Sequence, residues 1–125
     1  SPVAFGASVA RWEGGCKDGK ADGRGVLRAY QGAEVKQFFF GEMARGYPKF
    51  GVLESEGGFS FGNFAGGKII PEEPVGSDGV SVSVVAFQAA VAAAKQVSET
   101  FEAAGNHASA SFYAEKAKRL AQQIE

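Results

Sequence analysis

The sequence predicts an α+β fold in which an antiparallel β-meander is followed by a C-terminal helical hairpin. One observation is a change in composition: fifteen of the eighteen glycines and eleven of the fifteen aromatic residues precede residue 70, whereas alanine dominates after residue 80. A second observation is a spacing of aromatic residues and glycines that begins at Trp12 and returns in residues 39–46 and 61–68. These features favour a β part and an α part in series.

The β part is assigned to residues 1–70. Strands are predicted at about residues 9–16, 24–30, 35–43, 49–54, 58–64 and 68–70. Asp18-Gly19 is typical of a tight hairpin turn, because glycine accepts a positive φ and Asp can bond its own backbone. Strands joined by short loops pair with their sequence neighbours, which predicts a meander.

Three glycines inside the predicted strands have a shared interpretation. Glycine weakens strand pairing, so its presence at Gly14, Gly41 and Gly62 indicates a bulge or an aromatic side chain from a neighbouring hairpin that packs on bare backbone. The residue two positions after each of them is apolar, as one buried strand face requires. Those residues are Cys16, Met43 and Phe64.

At these residues the sequence resembles the MORN-repeat family, whose pattern is Tyr-x-Gly-x-aromatic-x-x-Gly followed by Gly-x-Gly-x-Leu. The first copy spans residues 12–27, with Trp12 in the Tyr place and Cys16 in the second aromatic place. The second copy has Phe50-Gly51-Val52-Leu53 instead of the Gly-x-Gly, and the third has Ser60 where an aromatic belongs. The resemblance covers roughly residues 10–70. It implies a platform that binds proteins or lies against membranes.

The α part is assigned to residues 80–125, after a Pro- and Gly-containing linker at residues 71–79. Helix is expected from about residue 83. Gly105 is placed as the C-cap of the first helix and Asn106 as the N-cap of the second. Apolar residues three or four apart form one seam on each helix. The first seam is Phe87, Ala90, Ala94, Val97, Phe101 and Ala104, and the second is Tyr113, Ala117, Leu120 and Ile124.

The helical hairpin is expected to cover one face of the sheet, because so thin a sheet cannot bury both faces alone. Residues 105–117 also resemble the middle of a tetratricopeptide-type helix pair, although only one such unit is present and solenoids need about three.

Composition argues against several functions. The net charge is −1 and no basic stripe is present, so nucleic-acid binding is not predicted. No apolar run reaches the roughly twenty residues of a membrane span. His107 is the only histidine and Cys16 the only cysteine, so neither a zinc site nor a triad can be assembled. We therefore expect no catalytic residue, no metal and no cofactor.

The aromatic excess of the β part is the remaining signal. Phe38 and Phe40 should share one face of a strand and Phe39 the other, because successive strand residues alternate. Surplus aromatics are either core under the helices or an exposed binding surface. The candidate binding residues are Trp12, Tyr30, Phe38, Phe40, Tyr47, Phe59 and Phe61.

The function predicted from these observations is a non-enzymatic protein–protein interaction module, of bacterial source given the Ala and Gly bias. Its partner is a protein or peptide that adds a strand at the late sheet edge, around residues 59–70. One alternative is an accessory domain of an enzyme with a small-molecule site between sheet and helices. Another is a platform for lipid headgroups, through basic loop residues that alternate with Asp18 and Asp22: Lys17, Lys20, Arg24 and Lys49. Residues 1–5 fit both a processed, exported N-terminus and a cytoplasmic chain, so the compartment stays open.

Overall fold

The computed structural model describes residues 9–32, 34–55, 58–65, 68–69 and 82–124, and it confirms the α+β meander with a C-terminal helical hairpin. The strands are β1 (Val9–Lys17), β2 (Lys20–Gln31), β3 (Glu34–Ala44), β4 (Tyr47–Ser55), β5 (Gly58–Ala65) and β6 (Lys68–Ile69). The helices are α1 (Val82–Ala103) and α2 (His107–Gln122). The predicted linker at residues 71–79 lies outside the described residues.

The strands form one antiparallel sheet in the order of the chain, β1 to β6. Tight turns let the strands extend further than predicted. Asp18 and Gly19 have φ values of 54° and 77°, so β2 begins at Lys20 instead of residue 24. Arg45 and Gly46, with φ values of 55° and 85°, form the turn that leads into β4. Two left-handed residues in succession match the twist of the paired strands.

Five glycines lie side by side across the middle of the sheet, which we call the glycine row. The register pairs Gly14 with Gly25, Gly25 with Gly41, Gly41 with Gly51 and Gly51 with Gly62. A Cβ atom on Gly41 would lie 2.8 Å from the Cα of Gly51 and would clash with the Phe50 carbonyl oxygen. The strands therefore approach too closely at this row to accept a side chain.

The two faces of the sheet carry separate apolar clusters. Phe38 and Phe40 lie on the face under the helices and Phe39 lies on the opposite face, as predicted. The helix-covered cluster includes Val26, Phe40 and Val52, each 0% exposed, together with Ala90 of α1. The opposite cluster contains Leu27, Phe39, Met43 and Phe64, with Trp12 and Leu53 packed against it.

Most of each predicted helix seam is buried, but Phe101 and Ile124 are only partly buried and Ala104, beyond the end of α1, is exposed. Phe87, Ala90, Ala94 and Val97 of α1 belong to the helix-covered cluster, and so do Tyr113, Ala117 and Leu120 of α2. The predicted caps are also present: Gly105 has a φ of 82°, and the side chain of Asn106 accepts a 3.1 Å hydrogen bond from the Ser109 N–H. Alanine on the seams allows the helices to approach each other and the sheet closely.

A lysine connects α2 to the sheet. Lys116 Nζ lies 2.9 Å from Glu54 Oε1 on β4, and the two side chains are only 12% and 14% exposed. The same ammonium lies 4.4 Å from the centroid of the Phe38 ring and 5.4 Å from that of Phe112. A cation beside two aromatic faces and a shielded carboxylate holds α2 at a defined position over the sheet.

Candidate functional site

Four of the predicted binding aromatics pack beneath the helices. Phe40 is 0% exposed and stacks on the half-buried Phe38, with 5.8 Å between ring centroids. Phe59 and Phe61 lie 5.5 and 5.8 Å from the ring of Phe87 on α1. Phe40 is therefore part of the core and does not reach the surface, while the other three present only part of each ring.

Trp12 packs on the glycine row. A Cβ on Gly14 would lie 2.5 Å from Trp12 Cζ2, and one on Gly25 would lie 2.8 Å from its Cη2. The indole Nε1 donates a 2.7 Å hydrogen bond to the Gly15 carbonyl oxygen. An aromatic on bare backbone is what the glycine spacing predicted, but the ring comes from the same hairpin as Gly14 and Gly25 and not from a neighbouring one.

The two tyrosines of the predicted set differ in exposure. Tyr47, which begins β4, is 46% exposed. Tyr30 is half-buried, and the Arg28 guanidinium carbon lies 6.0 Å from its ring centroid. Among the seven predicted aromatics, Tyr47 is the most accessible to a partner.

The outer side of β5 is an open strand edge within the described part of the chain. β6 pairs only with Phe64 and Ala65, so residues 58–63 have no described strand on that side. Ser60 and Asn63 are exposed there. β1, at the other end of the sheet, likewise has one outer side without a described strand neighbour.

A cavity of about 270 Å³ lies between the sheet and the beginning of α2, which we call the Arg28 pocket. β2 and β3 contribute three of its lining residues and the first two turns of α2 contribute the others. They are Arg28, Val35, Phe38, Ala108, Ser109, Phe112 and Tyr113. A pocket between sheet and helices was an alternative in the sequence analysis, but these residues were not singled out for it.

Two residues that line the Arg28 pocket each carry a fully buried polar atom with no hydrogen-bond partner among the described residues, Arg28 Nε and the Tyr113 hydroxyl. Tyr113 is 2% exposed. Arg28 Nη2 makes a 3.4 Å contact with Glu13 Oε1 on β1, which leaves Nε unused. Buried polar groups normally find a partner, so two that lack one are a feature that needs an explanation.

Burial raises the pKa of Tyr113 to about 12, against the opposing effect of the Arg28 charge. The phenol is therefore neutral at physiological pH and can donate its proton in a hydrogen bond. The Arg28 guanidinium carries N–H donors and no acceptor. Both unpartnered groups are thus hydrogen-bond donors.

The raised pKa of Tyr113 predicts a loss of stability at alkaline pH. The unfolded tyrosine, with its ordinary pKa of 10.0, releases its proton before the folded one does, so the free energy of unfolding should fall from pH 10 toward pH 12. Denaturant titrations of the wild type and of Tyr113→Phe measure this, since the variant should lack that share of the fall. Parallel curves for the two proteins across this range would contradict the assignment.

The prediction that Cys16 lies on a buried strand face is wrong. It is exposed, whereas Met43 and Phe64 in the corresponding positions are buried. The register between β1 and β2 shifts between Gly14 and Cys16, with the extra residues on β2, and Cys16 then pairs with Ala21 on the edge strand β1, where its side chain is exposed.

Other reactive side chains are solvated. His107 is paired with Glu102, and both are more than half exposed. Lys17, Lys20, Arg24 and Lys49, the lipid-headgroup candidates, are exposed, as is Asp18. Among the described residues no three His, Cys, Asp or Glu side chains come together in a way that could hold a metal ion.

Neither described helix has the length and apolar content that a membrane span requires. Comparison with known proteins finds no matching family model, no matching curated protein and no matching solved structure.

Proposed function

We propose that the protein is a non-enzymatic protein-binding module that takes an extended segment of its partner as an additional strand on β5. The observation that carries the proposal is the outer side of residues 58–63, which pairs with no strand in the described part of the chain. A strand edge offers a row of backbone donors and acceptors to an incoming chain. The MORN-like hairpin spacing supports it further, since the repeats that these hairpins resemble serve as protein-binding platforms.

The neighbouring side chains suit this mode of binding. Phe59 and Phe61 lie at the edge and are only partly buried against Phe87. Main-chain hydrogen bonds supply affinity in strand addition, and pockets for alternate side chains supply specificity. The exposed parts of these rings provide the apolar wall of such pockets.

Two proline substitutions test the edge directly. Successive strand residues direct their backbone N–H groups to opposite edges of a strand. Ser60 and Asn63 are an odd number of residues apart, so their N–H groups point to opposite edges of β5. One of Ser60→Pro and Asn63→Pro should remove a hydrogen bond to β4 and lower the Tm. The other should keep the Tm and weaken binding of a partner captured from the native host's lysate by about tenfold, the value of one hydrogen bond.

Hydrogen exchange on the captured complex locates the interface independently. We expect new amide protection within residues 58–63 and none within β1. Protection confined to the polar face of the helical hairpin would overturn the edge assignment. That face carries Lys95, Glu99, Glu102 and Arg119, whereas Lys116, which the sequence pattern also places there, pairs with Glu54 on the sheet.

A second candidate function, binding of a small molecule between sheet and helices, is favoured by the Arg28 pocket, a cavity of about 270 Å³ between β2, β3 and the first turns of α2. The Arg28 pocket lies on a different surface from the β5 edge, so the two candidate functions can be tested separately.

A further inference from the structure

The glycine row contains facing pairs, and the pair between β3 and β4 shows the geometry most clearly. A Cβ on Gly41 would clash with the Phe50 carbonyl oxygen, and a Cβ on Gly51 would clash with the Phe40 carbonyl oxygen. Each Cβ would also lie 2.8 Å from the Cα of the other glycine. The backbone of the facing strand therefore fills the place that a side chain would take on each of the two glycines.

The first hairpin, formed by β1 and β2, repeats this arrangement. A Cβ on Gly25 would lie 2.8 Å from the Cα of Gly14, and a Cβ on Gly14 would lie 2.7 Å from the Arg24 carbonyl oxygen. Gly25 and Gly41 are also neighbours in the row, but the atoms that a Cβ on either would meet first belong to its own hairpin. The row thus consists of two closed pairs followed by Gly62.

Gly62 lacks a facing glycine of this kind among the described residues. Its φ is positive, 124°, and its neighbour Gly51 is already closed against Gly41. A facing residue would have to lie on the outer side of β5. β6 pairs there with only the last two residues of β5, and continuation of that register counts to Pro71 opposite Gly62. Proline has no N–H and carries a ring, so it cannot take a place in the row.

The second strands of the two closed pairs share one tripeptide. Glycine, valine and leucine follow one another at residues 25–27 of β2 and again at residues 51–53 of β4. In both strands the valine is 0% exposed in the helix-covered cluster, and the leucine packs in the opposite cluster. Because strand residues alternate, this tripeptide places one apolar side chain on each face of the sheet.

We propose that the segment that adds to β5 carries glycine followed by two aliphatic residues, and that it completes the third hairpin with its glycine opposite Gly62. An antiparallel register then places the first aliphatic residue opposite Phe61, on the face under the helices, and the second opposite Ser60, on the other face. The first covers part of the Phe61 ring, which is only partly buried. This inference rests on the proposed strand addition and specifies the sequence class of the partner.

A fluorescent heptapeptide, acetylated Thr-Lys-Gly-Val-Leu-Thr-Lys amide, tests the proposal by anisotropy titration of the full chain. We expect saturable binding, with new amide protection within residues 58–63. The matched peptide with valine in place of its glycine should bind at least about tenfold more weakly, because its side chain would overlap the β5 backbone. Whichever of Ser60→Pro and Asn63→Pro keeps the Tm should weaken binding of the glycine peptide by about tenfold.

Disulfide formation measures the register of the bound peptide. In a chain that also carries Cys16→Ser, Ser60→Cys should cross-link to a peptide with cysteine in the leucine place, because directly opposite strand residues have neighbouring Cβ atoms. A peptide with cysteine in the valine place should not cross-link, since that side chain lies on the other face of the sheet. Equal cross-linking of the two peptides would overturn the proposed register.

The outcomes separate this inference from the proposed function. Equal binding of the glycine and valine peptides, with protection within residues 58–63, would overturn the glycine requirement and leave strand addition standing. No saturation by the glycine peptide would also overturn the inference, while protection of residues 58–63 by the partner captured from lysate would still support strand addition. Strand addition as the function fails when that partner leaves residues 58–63 unprotected.

Discussion

A truncated chain of residues 1–76, without the helical hairpin, is expected to aggregate or to form oligomers. The helices cover a sheet face on which Val26, Phe40 and Val52 are fully buried and four further phenylalanines are packed: Phe38, Phe50, Phe59 and Phe61. Removal of the helices exposes this face as one contiguous aromatic patch. Monomeric proteins tolerate scattered apolar residues on their surface but rarely a patch of that extent. Light scattering coupled to size exclusion measures the outcome.

Supplying residues 80–125 as a separate peptide provides the control for this truncation. If the hairpin protects the sheet by packing, the peptide should restore part of the monomeric fraction. The matched peptide carrying Phe87→Ser and Val97→Ser should not, because both residues lie on the seam that contacts the sheet. A truncated chain that stays monomeric and keeps its stability would show that sheet and helices fold independently.

Gly41→Ala is expected to cost about 3 kcal/mol or more of the free energy of unfolding. Its φ of 152° is one that residues with a side chain rarely adopt, and the added methyl would overlap the Phe50 carbonyl on β4. The atoms that the methyl would meet, the Phe50 carbonyl oxygen and the Gly51 Cα, both belong to the backbone in the centre of the sheet. No side chain can therefore rotate to relieve the clash. Urea denaturation with a shared slope for both proteins gives the difference.

Gly32→Ala separates the cost of an unfavourable φ from the cost of the steric overlap. Gly32 also has a positive φ, 64°, but a Cβ there meets no atom within 4 Å. It should therefore cost only the conformational penalty of about 1 kcal/mol. Equal losses for Gly41→Ala and Gly32→Ala would mean that the glycine row is not sterically closed.

Much of the fold was predictable because its signals are local. Asp18-Gly19 sets a turn within the two residues themselves, and the alternation at Phe38 and Phe39 follows from strand geometry. The seam from Phe87 to Val97 needs only the period of a helix. Each of these depends on neighbours in the chain, so a single sequence carries the information.

The Arg28 pocket and the position of Cys16 depend on relations that the sequence does not display. Arg28 and Tyr113 line the same pocket because the first turns of α2 lie beside β2 and β3, and no periodicity reveals which turn of a helix faces which strand. A signal for Arg28 was nevertheless present, since a charged residue between Val26 and Tyr30 interrupts an otherwise apolar strand face. The bulge after Gly14 needed the pairing with β2 to be seen.

The outward position of Cys16 also has a chemical consequence. It is the only thiol of the chain, and it stands on the surface of the first hairpin, whereas Met43, the only other sulfur, is 2% exposed within the core. Oxidants and alkylating reagents act on accessible sulfur first, so they modify the molecule at one point of the first hairpin. Such a reaction changes the surface and leaves the packed interior intact, and it offers a single attachment point for a fluorophore or cross-linker.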